Sequence, residues 1–92
     1  MRNKLATKLY ESGRLYIKME EYESAIITFE DLLAKYYDTE FVEDAHFQIV
    51  KCHSLLGDSE KAADYLMKNR KQFSDDELLT AAEKLINKKD KN

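Results

Sequence analysis

Apolar residues recur every three or four positions along most of the chain, and breaks in that rhythm divide it into five helices. The first is predicted over about Asn3 to Met19, with Leu5, Leu9, Gly13 and Tyr16 on one stripe. Glu20 and Glu21 make the turn. A second helix, about Tyr22 to Tyr36, directs Ala25, Ile26, Phe29, Leu32 and Leu33 inward. Asp38-Thr39 offers short oxygen-bearing side chains suited to an N-cap, ahead of a third helix from about Glu40 to Leu56. That helix carries Val42, Ala45, Ile49 and Cys52. Gly57 is placed to end it in the left-handed conformation, and Asp58 or Ser59 opens a fourth helix reaching about Gln72. Ala62, Ala63, Leu66 and Met67 are its expected inward residues. Ser74 to Glu77 spells a capping box before Leu78, Leu79, Ala82, Leu85 and Ile86, a fifth helix. Asp75, Asp76 and Glu77 sit at its start and Lys84, Lys88 and Lys89 at its end, as the helix dipole favours. The tail from Lys88 to Asn92 is expected to fray.

One set of spacings occurs twice. Leu9, Gly13, Tyr16, Tyr22, Ala25, Phe29 and Leu32 are matched by His46, Val50, His53, Ser59, Ala62, Leu66 and Asn69, each 37 residues further on. These positions resemble the helix-turn-helix signature of the tetratricopeptide repeat, a unit of ~34 residues, so about three extra residues separate the copies. The resemblance implies an all-α fold of antiparallel helix hairpins, about two repeats, closed by a C-terminal capping helix. Repeat one spans about residues 6–37, repeat two about 40–73 and the capping helix about 74–89, all in a single domain over 1–92. Gly13 and Ala25 are the small residues expected where the first two helices cross. About three units are usually needed for a stable stack, so the chain is expected to be a piece of a longer array.

A longer run narrows the resemblance. Arg2-Asn3-Lys4-Leu5-Ala6, then Leu9-Tyr10 and Tyr16, then Tyr22 through Tyr36 and Tyr37-Asp38-Thr39, is similar to the C-terminal part of the BamD-like family. Those are lipoproteins of the bacterial outer-membrane β-barrel assembly machine. The similarity covers about residues 2–73. Tyr37 stands where that family has proline, and Thr28 where a basic residue is frequent. The resemblance implies a non-enzymatic scaffold on the periplasmic side of the outer membrane, whose partners are other subunits of the machine. It would meet the membrane only through a lipid anchor of the parent protein. The lipid-bearing cysteine of the family is absent from this chain, and Cys52 lies within a helix. A repeat adaptor of another periplasmic or cytosolic process is the alternative.

Composition narrows the functional classes. Two glycines, no proline, 43% hydrophobic and 36% charged residues are the balance of a helical domain. At this size the chain buries little more than ~60% of its unfolded surface, so its stability is expected to be modest. No apolar stretch reaches the ~20 residues of a membrane span. Eighteen acidic against fifteen basic residues give a net charge of −3, which argues against nucleic acid as a partner. A single cysteine excludes an internal disulfide.

Catalytic and metal chemistry find little support. His46 and His53 flank Cys52, but residues seven apart on a helix are separated by ~10.5 Å along its axis, too far to share one ion. Both histidines fall at large-residue core positions of the repeat, where packing is expected. A small helical enzyme or metal carrier using His46, Cys52 and His53 is thus the remotest reading. The pairs Glu20-Glu21, Glu43-Asp44 and Asp75-Asp76 lie at turns or first turns, where acidic residues serve capping. No nucleophile motif, phosphate loop or cofactor site is read here, and no small-molecule substrate is expected.

What remains is a face for another protein. Tyr10, Arg14, Ile17 and Lys18 fall off the core stripe of the first helix, on the side that lines the concave surface in this repeat class. Phe47, Lys51, Ser54 and Leu55 are the equivalents in the third helix. Tyr and Arg are enriched among residues that dominate binding energy. An end face covered by an upstream repeat is the competing reading of the first helix.

Overall fold

In a computed structural model, which describes residues 2–90 and the side chains of residues 4–86, the chain forms helices in sequence. They are α1 (Arg2–Lys18), α2 (Tyr22–Lys35), α3 (Val42–Leu55), α4 (Ser59–Lys68) and α5 (Asp76–Asp90), with a 3₁₀ turn at Arg70–Gln72. Among the described residues there is no strand. Lys91 and Asn92 lie outside the described residues, and the side chains of Lys88, Lys89 and Asp90 outside the described side chains.

Each helix packs chiefly on its neighbours, α1 on α2, α2 on α3, α3 on α4, and α5 on both α3 and α4. The two hairpins and final helix expected from the sequence are therefore present. The core divides in two. Ala25, Ile26, Phe29, Leu32, Ala45, Ile49 and Cys52 form one cluster, and Val50, Ala62, Leu66, Phe73, Ala82 and Ile86 the other. The third helix is the shared wall, with Ala45, Ile49 and Cys52 on one side and Val50 on the other.

Both hairpins turn in the same way. After α1, the Glu21 N–H donates to Tyr16 O and the Glu20 N–H to Ile17 O, with Glu20 at φ 61. After α3, the Asp58 N–H donates to His53 O and the Gly57 N–H to Ser54 O, with Gly57 at φ 87. Each is a paired 6→1 and 5→2 termination around one left-handed residue. Gly57 was legible as a helix end. Glu20, its counterpart 37 positions earlier, was not, because glutamate seldom adopts this conformation.

Gly13 does lie close against α2, at the Phe29 ring, and Ala25 is fully buried in the cluster that holds Phe29. Several other local expectations are corrected. Leu5, Ala63 and Met67 are exposed, Met67 at 74%, because each lies beside the buried stripe of its helix (Ala6, Ala62, Leu66) and not on it. The third helix begins at Val42 with Phe41 before it, and the Thr39 hydroxyl donates to Tyr36 O at 2.8 Å instead of capping α3. That delay lets Phe41 stack on Tyr10 with ring centroids 5.2 Å apart. The fourth helix ends at Lys68, not Gln72, and the 3₁₀ turn that follows carries Phe73 into the second cluster. The cap of α5 comes from Asp75, whose carboxylate accepts from the Glu77 N–H at 2.9 Å. Ser74 is instead held by Glu43 of α3, which accepts from the Ser74 N–H, the Ser74 hydroxyl and the Asp75 N–H.

Candidate protein-binding groove

Between α1 and α3 lies a depression of about 190 Å³ lined by Arg14, Ile17, Lys18, Gln48 and Lys51. Four of the eight residues singled out from the sequence therefore meet in one place, drawn from both repeats. Three are cations, in a chain whose net charge is −3.

Tyr10 has a different role from the one the sequence suggested. It is half-buried and packs on the first core cluster, edge-on to Phe29 at 5.8 Å and stacked on Phe41. Ile17 packs on that cluster too. The core stripe of α1 is thus wider than Leu9, Gly13 and Tyr16, because both α2 and the loop before α3 press on it. Burial raises the Tyr10 hydroxyl above its usual pKa, and Asp44 raises it further. Asp44 and Gln48 both hydrogen-bond to that hydroxyl. The Arg14 guanidinium carbon stands 6.0 Å from the Tyr10 ring centroid, a cation–π distance that holds Arg14 at the groove. Tyr10 supports the groove from beneath.

On α3 the groove face is rotated from the one expected. Asp44, Gln48, Lys51 and Leu55 share it, at helical spacing. Phe47 packs against the second cluster, and Ser54 is buried at 4% exposure, its hydroxyl donating to Leu85 O at 3.2 Å. The arrival of α5 explains both, since it covers a side of α3 that a two-helix view leaves open. Gln48 was missed. Its position four residues after Asp44 and three before Lys51 was the available signal.

The histidines lie on the far side of α3 from the groove. His46 is 7% exposed, its Nδ1 is 2.7 Å from the Tyr65 hydroxyl, and its ring contacts those of Tyr65 and Phe73. His53 contacts the other flank of Tyr65, with ring centroids 6.3 Å apart and its Nδ1 buried without a hydrogen-bond partner. Burial lowers the pKa of both histidines and raises that of Tyr65. Cys52 is fully buried, and burial pushes its thiol up to about 11, which keeps it protonated and inert near neutral pH. Among the described residues no group of three or more His, Cys, Asp or Glu is arranged to hold a metal ion. None of their helices is long and apolar enough to cross a membrane.

Comparison with known proteins gives one match. Residues 9–38, from the middle of α1 through α2 to the turn after it, match the family of the tetratricopeptide repeat. No curated protein and no solved structure matches the chain.

Proposed function

We propose that this tetratricopeptide-repeat protein is a docking module that seats a partner protein in the groove between α1 and α3, as a subunit of the outer-membrane β-barrel assembly machine. Tetratricopeptide repeats generally mediate protein–protein contacts, and their work is binding without turnover. The observation that carries the groove is the convergence of Arg14, Ile17, Lys18 and Lys51 from two successive repeats on one depression. Three cations around an apolar side chain suit a segment that presents carboxylates beside an apolar residue. The assembly-machine role, the periplasmic location and the other subunits as partners rest on the resemblance of residues 2–73, including Tyr37-Asp38-Thr39 between the repeats.

The test is titration of the full chain against purified subunits of that machine. Binding is expected to one of them. Arg14→Ala and Lys51→Ala should each weaken it by roughly tenfold or more, an effect of anchor size. Ile27→Ala, on the exposed side of α2, should leave binding unchanged. No binding to any subunit would return the chain to the adaptor reading. Binding lost only with Ile27→Ala would move the interface away from the groove.

A further inference from the structure

The outer faces of the first and last helices carry opposite charge balances, one acidic and two basic residues around the depression on α1 against two acidic and one basic on α5. The chain is net acidic, yet α1 carries Arg2, Lys4, Lys8, Arg14 and Lys18 against Glu11 alone. On its outer flank Glu11, Arg14, Leu15 and Lys18 line a shallow depression, with Leu15 56% exposed. At the other end of the stack, Asp76, Glu77, Thr80, Ala81 and Lys84 line a matching depression on α5.

We infer that these two surfaces dock on one another, so that α1 of a second copy of this chain packs antiparallel on α5 and continues the stack. The spacing carries the argument. Glu11 and Lys18 stand seven residues apart with Leu15 between them, and Lys84 and Glu77 stand seven apart with Ala81 between them. Seven residues are two turns, ~10.5 Å on either helix. Run antiparallel, Glu11 meets Lys84, Leu15 meets Ala81 with Thr80, and Lys18 meets Glu77. Two pairs of opposite charge then flank an apolar centre. Run parallel, Glu11 meets Glu77 and Lys18 meets Lys84. The short turns of a helical hairpin impose the same antiparallel order within the chain, so the added helix extends the existing packing rule. The contact is head-to-tail, and it propagates beyond a dimer unless the rotation closes a ring. Arg14 and Lys18 line this surface and the groove alike, whereas Glu11, Leu15 and all the α5 residues lie outside the groove.

The experiment is sedimentation of the whole chain over a dilution series, at low ionic strength and in ~1 M salt, where the Debye length falls to ~3 Å. The expected result is a mass that rises with concentration past the dimer and falls toward the monomer in high salt. Glu11→Lys and Lys84→Glu lie outside the groove, and each should weaken self-association by roughly tenfold or more. An equimolar mixture of the two variants should restore it, because each then offers the charge the other lacks. Leu15→Asp should abolish it while circular dichroism confirms an unchanged helical content. A monomer at every concentration overturns the inference. Association that survives all three variants, or that mixing fails to restore, overturns the proposed docking surfaces.

Discussion

The tip of the Phe29 ring lies against Gly13, so closely that a Cβ built on the glycine would stand 2.5 Å from Cζ and under 3 Å from both Cε atoms. Phe29 has no exposed surface, and Tyr10 abuts its edge, so the ring has little room to yield. Alanine favours a helix interior over glycine by ~1 kcal/mol, whereas overpacking a filled core costs ~1–3 kcal/mol. The clash should win. Gly13→Ala is expected to lower the denaturation midpoint, and combining it with Phe29→Leu should recover part of the loss. A fully additive pair would mean that the two residues do not touch in solution.

The two turns set up a second comparison. At Glu20 the left-handed backbone costs a side-chain-bearing residue ~1–2 kcal/mol, and glycine there would forfeit ~0.5–1 kcal/mol in chain entropy. Glu20→Gly should therefore stabilise by ~0.5–1 kcal/mol, read as a higher melting temperature. Gly57→Ala should destabilise by a similar amount although no atom lies within 4 Å of the added carbon, since only the backbone conformation objects.

Acid should act through the histidines. Burial depresses the folded pKa of His46 and of His53 below 6.5, so the unfolded chain binds more protons as pH falls. Stability is then full above ~6.5, the unfolded value, and declines as pH drops through it toward the folded pKa. His46→Leu should flatten this part of a stability–pH curve. Tyr65→Phe, which leaves Nδ1 of buried His46 without its partner, should cost ~1–3 kcal/mol at pH 7.5.

The last helix is tethered from a distance. Glu43 accepts three hydrogen bonds from Ser74 and Asp75, across more than thirty residues of chain. Glu43→Ala is expected to reduce stability by about 1 kcal/mol, a partly exposed site giving the low end of charge-assisted bonds. Amide exchange should speed up in α5 more than in α1. Equal acceleration in both would show that Glu43 acts on the whole domain and not on the docking of α5.

The helices and their pairing were legible because the same spacing is written twice, from Leu9 to Leu32 and from His46 to Asn69. Such periodicity marks which stripe is buried but not how wide it is. Width depends on how many neighbours press on a helix, and this is why Tyr10, Phe47 and Ser54 pack inward where an open face was expected, while Ile17 both packs on the first cluster and lines the groove. The caps of α3 and α5 were misread for a related reason. Local motifs named Asp38-Thr39 and Ser74, whereas Phe41 stacking on Tyr10 and Glu43 reaching Ser74 are contacts between separate elements. Arg14, Lys18 and Lys51 line the depression because long charged side chains stay at the rim of any helical packing.

Because α3 contributes Ala45, Ile49 and Cys52 to one cluster and Val50 to the other, the two halves of the molecule share a single wall. Pulling α1 and α2 away would expose the first cluster and leave α3, α4 and α5 still closed around Val50, Ala62 and Phe73. Loosening α3 removes support from both sides at once. The cooperativity of unfolding is thus concentrated in one fourteen-residue helix, and mechanical or thermal damage there cannot be confined to half of the domain.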